Sequence, residues 1–109
     1  VAIRTVDIHA HIVHPQVMGL CGAAGPELGE KDGTQFFRSG DYVLDYVRFV
    51  DGPMANVDAR LELMERLGID HQLLSPNPLT YFYLQPASVA ARDFAAANHA
   101  MAEICYRHP

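Results

Sequence analysis

Between Arg4 and Val13 the chain alternates without a break, and that stretch constrains the fold more than any other. Val6, Ile8, Ala10 and Ile12 fall on one face of an extended strand, while Asp7, His9 and His11 fall on the other. One face is apolar. The opposite face carries three groups able to bind a metal or move a proton.

Residues 14 to 56 show no sustained period. Seven of the eight glycines lie there, with Pro15, Pro26 and Pro53 among them. This predicts a long, largely irregular connection of the kind that serves as an active-site loop. Asp41–Val50, DYVLDYVRFV, is too aromatic and β-branched for a linker, so part of the loop is expected to be ordered. From Val57 to Leu67 the spacing predicts a helix, with Asn56 as its cap, Gly68 as its end, and Val57, Leu61, Met64 and Leu67 on the buried side. A short strand over residues 69–75 follows, stopped by Pro76 and Pro78. A last helix runs from about Pro86 to Arg107, with Phe94, Ala97, Met101 and Ile104 or Cys105 as its buried stripe. Strand, loop, helix, strand, loop, helix is the order of a βαβα unit, and the fold class read from it is α/β with parallel strands.

Composition narrows the function classes. Half the residues are hydrophobic and 19% charged, which suits one modest core. The 8 basic residues are scattered singly among 13 acidic ones, giving a net charge of −5, so no basic patch favours nucleic acid. No apolar run reaches the ~20 residues that span a bilayer, which argues against a membrane partner. The first residues lack the pattern of a secretory signal. Cys21 and Cys105 read as free thiols in a reducing compartment, and cytoplasm is the expected location.

The chemistry concentrates in Asp7-Ile8-His9-Ala10-His11. Side chains two apart on a strand point the same way, roughly 6–7 Å apart at the backbone. Two imidazoles so placed can converge on one metal ion, and Asp7 can orient an imidazole by a hydrogen bond or serve as a distant ligand. The plainer alternative is a polar strand edge. A buried strand favours the metal, because three polar groups on a covered face need partners.

VDIHAHIVHP, RLELMERLGIDHQLLSP and ANHAMAEICYRHP together resemble the amidohydrolase superfamily, in its branch of aminocarboxymuconate-semialdehyde decarboxylase and related decarboxylases. The likeness runs over nearly the whole chain and is poorest between residues 14 and 40. It implies the first βαβα portion of a metal-dependent hydrolase-type (β/α)8 TIM barrel, with residues 1–109 forming the amino-terminal part of one domain and 14–56 its active-site loop. It also implies zinc on His9 and His11. In the decarboxylase an arginine twelve residues before the helix-opening arginine binds a substrate carboxylate; here Arg60 opens the helix and Arg48 stands twelve before it. A guanidinium suits that task, since it grips a carboxylate through two parallel hydrogen bonds.

His14, just past the strand, is expected to line the mouth of the site. Ser75, Asn77 and Tyr81 follow the second strand, at the end where such barrels bind substrate. His71, His99 and His108 read as structural or solvent-facing. A complete barrel needs at least ~200 residues, so the chain reads as an incomplete piece, inactive alone, with its catalytic residues beyond Pro109. The expected activity is decarboxylation of a carboxylated muconate-type or aromatic acid, with a small-molecule carboxylate as substrate and a homodimer as the assembly the family suggests. Two alternatives stand beside it: a hydrolase opening a lactone or amide, and a truncated binding module without catalysis.

Overall fold

The computed structural model describes residues 4–109. Its elements are β1 (Val6–Ile12), β2 (Glu27–Lys31), β3 (Thr34–Ser39), β4 (Tyr42–Val47), α1 (Val57–Leu67), β5 (His71–Pro76) and α2 (Ala87–Arg107). Short 3-10 turns sit at Pro15–Val17, Gly22–Ala24 and Pro78–Thr80. β1 and β5 pair in parallel as one two-stranded sheet; β2, β3 and β4 form a separate antiparallel sheet in that order. No helix among the described residues is long and apolar enough to cross a membrane.

The antiparallel sheet corrects the sequence-based fold. Residues 14–56 are not an irregular loop, and the described chain is not the simple βαβα start of a (β/α)8 barrel, because three strands in a sheet of their own lie between β1 and α1. Two tight turns build that sheet. Asp32 and Gly33 join β2 to β3 with φ of 51° and 76°, the pair of positive angles a type I′ hairpin demands. Gly40 and Asp41 join β3 to β4, with Gly40 at φ 59° in the first central position. The strands are five or six residues long, and only Phe37 in them is fully covered. No clean alternation exists for a period search to find.

Phe37 packs with Val13 and Ala55 in the main apolar cluster, flanked by Met18, Leu28, Leu44, Val47, Phe49, Met54 and Leu79. Val13 follows β1 directly, and its N–H donates to the Met54 carbonyl at 2.7 Å. The inserted sheet therefore braces the end of β1, two residues from His11. Ser39 adds a second tie, its hydroxyl donating to the Leu79 carbonyl at 2.5 Å.

α1 begins and ends where its sequence says. Asn56 Oδ1 accepts from the Ala59 N–H at 3.1 Å, and Gly68 closes the helix in the left-handed conformation. Its buried residue is Arg60, while Leu67 is exposed. α2 turns inward a stripe that is wider than the one expected: Ala97 is buried and Phe94, Met101 and Ile104 are half-buried as read, Ala90, Asp93 and Ala100 are buried beside them, and Cys105 is exposed. Small side chains let this helix lie close against the turn at Pro15–Val17.

Candidate metal centre

His9 and His11 converge. Their Nε2 atoms are 2.9 Å apart and their rings meet edge to face, centroids 4.8 Å apart. Two nitrogens bonded to one ion at ~2.0–2.1 Å lie roughly 2.9–3.4 Å apart for angles between square and tetrahedral. The observed gap falls at the close end of that interval, so the pair fits a single ion. Without one, the two nitrogens share a hydrogen bond and only one of them carries the proton.

The other nitrogen of His11 is also placed. Its Nδ1 is 2.9 Å from the hydroxyl of Ser75, which β5 sets opposite His11 in the parallel register. When Nδ1 carries the proton and donates to Ser75 Oγ, Nε2 presents its lone pair to a ligand. Ser75 then turns its own hydrogen toward the Ala10 carbonyl, 3.5 Å away. His9 is exposed and His11 half-buried, so the pair is open to solvent. Among the described residues, no group of three or more His, Cys, Asp or Glu side chains is arranged to hold a metal.

Asp7 does not join the imidazoles. β1 pairs Asp7 with Gln72 and Ala10 with Leu74, so three steps along β1 match two along β5. This bulge breaks the strict alternation expected from the sequence. Asp7 consequently shares a face with Gln72, while His11 shares the opposite face with Ser75. Its carboxylate accepts from the His9 backbone N–H at 3.1 Å and from Gln72 Nε2 at 2.9 Å, and it reaches neither ring.

Gln72 passes the connection to Arg60, a residue that sequence reasoning used only as a landmark. Arg60 is 8% exposed; its Nη1 donates to Gln72 Oε1 at 3.0 Å and its Nη2 to the His11 carbonyl at 2.5 Å, while Nε has no partner. Burial pushes the guanidinium pKa down, and the Asp7 carboxylate pushes it back up. The spacing held a signal for it, since Arg60 falls on the same helical face as Val57, Leu61 and Met64.

The remaining candidates lie apart from the histidine pair. Arg48 is exposed and lines an open hollow of about 610 Å³ with Gln35, Tyr46 and Asp51, a lining that includes neither His9 nor His11. His14 is 2% exposed, its Nε2 has no partner, and desolvation lowers its pKa, so it is held neutral. It lines a separate cavity of about 280 Å³ near the start of α1 and the end of α2. Asn77 is occupied in capping the turn at Leu79, and Tyr81 stacks at an angle against Tyr83. His71 lies within 3.4 Å of Arg4, and His99 and His108 are exposed.

No family model matches the chain, and no curated protein matches it.

Proposed function

We propose that this chain carries two metal ligands, His9 and His11, of a metal-dependent decarboxylase of the amidohydrolase kind, acting on a carboxylated muconate-type or aromatic acid. The observation that carries the proposal is the convergence of two Nε2 atoms to 2.9 Å on a strand, one ring oriented by Ser75. The DIHAHIVHP and MERLGID motifs supply the chemical class.

Zinc is the divalent ion that imidazole nitrogens of this kind would hold, and when bound it supplies a Lewis acid for a substrate oxygen. The chain's own residues do the rest. By accepting a hydrogen bond from His11 Nδ1, Ser75 would hold the ring in the tautomer whose Nε2 is free to bind. Arg48 presents an exposed guanidinium to an open hollow, where a substrate carboxylate can be gripped in the bidentate way. His14, neutral and buried, lends shape to the region beyond β1 and no charge.

The test is metal analysis of the protein expressed from its whole gene, followed by assay with carboxylated muconate-type and aromatic acids. Bound zinc in the native protein, its loss in His9→Ala and His11→Ala, and release of carbon dioxide are the expected results. Arg48→Ala should raise KM roughly 10- to 100-fold, the worth of a charge-assisted pair at about 1.5–3 kcal/mol. Ring opening without carbon dioxide would replace the decarboxylase with a hydrolase, and metal retained without both histidines would end the proposal.

A further inference from the structure

Resting on the metal reading, we infer that Arg60, Gln72 and Asp7 form a clamp that sets the separation of the two imidazoles by gripping the strand that bears them. The three side chains come from three elements: Arg60 from α1, Gln72 from β5 and Asp7 from β1. Their bonds land on main-chain atoms of the two ligand residues. Asp7 Oδ1 accepts from the His9 N–H at 3.1 Å, and Arg60 Nη2 donates to the His11 carbonyl at 2.5 Å. Gln72 joins the two ends, accepting from Arg60 at 3.0 Å and donating to Asp7 at 2.9 Å.

The location explains the need. The bulge between Asp7 and Ala10 interrupts the ladder at His9 and leaves that backbone without its regular pairing. An unpaired stretch of strand can rotate, and rotation at His9 swings its ring relative to His11. The clamp replaces the missing ladder bond with a side-chain bond at His9 and fixes the next ligand residue from the opposite direction. Gln72 suits the link because one amide both accepts and donates. A glutamate there could still accept from Arg60 but could not donate to Asp7. Arg60, Gln72 and Asp7 are positioning residues, since none touches the imidazole nitrogens.

Gln72→Leu removes the link, and Gln72→Glu removes only its Asp7 half while keeping Arg60 partnered. Cobalt(II), titrated into the purified full chain, is the probe, read by its visible absorption band and by competition for affinity. Both variants should bind cobalt roughly 10- to 100-fold more weakly, the range seen when support around a ligand is lost, with a changed band at unchanged helix content. Crystal structures of the metal-free variants give a second readout, in which the Nε2 atoms are expected to part well beyond 2.9 Å. Should Gln72→Leu fail to fold, Gln72→Glu carries both measurements. Unchanged affinity, or rings still in contact without the link, would overturn the clamp. If native protein binds no cobalt the metal reading falls by itself, and the ring separation alone decides whether the clamp stands.

Discussion

At the residue scale, Asp93 is the group most at odds with its surroundings. It sits on the buried face of α2, 1% exposed, and its Oδ1 has no partner. Burial raises its pKa. In the unfolded chain an aspartate ionises near pH ~3.9; in the fold it does so only at higher pH. Its contribution is therefore most favourable below the unfolded value and is lost as pH rises through the folded one. Asp93→Asn should flatten that part of the profile and leave the protein about 1 kcal/mol more stable at neutral pH, as urea unfolding of both proteins between pH 4 and 8 would show. An equal slope in the variant would place the effect elsewhere. Cys21 feels the same site: desolvation first, then the Asp93 charge, raises its pKa, and Arg92 partly offsets them. Asp93 does not stand out in the sequence as buried, because period-based reading assigns charged residues to the solvent side, and the same habit hides Arg60 although its position matches the apolar face of α1. The convergence of His9 and His11 was legible from their two-residue spacing, which keeps their rings together even though the bulge includes His9.

At the element scale, what could be read depended on length and on local chemistry. α1 was legible to the residue because its cap and its stop are written beside it, in Asn56 and Gly68. α2 was legible in extent and in part of its facing, Ala97 being buried and Phe94 and Met101 half-buried, but the deeper burial of Ala90 and Ala100 was not, since alanines bury readily when a neighbour approaches closely. The antiparallel sheet was missed as a sheet, although Asp32-Gly33 is a strong hairpin signal, because its strands offer too few residues to establish a period. Its third strand contains a strained point. Tyr46 adopts φ 60° where β4 carries one residue more than β3, and its ring is 81% exposed. A left-handed conformation costs a non-glycine residue roughly 1–2 kcal/mol, and glycine would give back about 0.5–1 of that in entropy. Tyr46→Gly should accordingly stabilise the protein by about 0.5–1 kcal/mol in a denaturant titration. A loss of stability would mean that the tyrosine ring contributes more by packing than its exposure indicates.

For the whole molecule, the shape is a slab of 51 × 34 × 19 Å with a radius of gyration of 15.0 Å. A chain of this length usually packs to about 13 Å. The chain forms two separate small sheets instead of one sheet covered on both faces. The face of β1 and β5 that bears His11 and Ser75 is left open, with Leu73 66% exposed beside it and Val6 also exposed. Apolar strand residues on an uncovered two-stranded sheet promote association. The purified chain is expected to self-associate as concentration rises, and Leu73→Lys should suppress this in sedimentation experiments; association of equal strength in the variant would move the contact to another surface.

The bulge in β1 has one more consequence, and it concerns chain length. A strand sorts its side chains by parity, odd to one side and even to the other, and the extra residue resets that count once. On one side of the reset lies a half-buried charged group; on the other lie two rings on the opposite face. Substitution at any single position changes one side chain and leaves the sorting intact. Losing or gaining one residue between Asp7 and Ala10 would exchange the two sides wholesale, so this short stretch tolerates change in spelling far better than change in length.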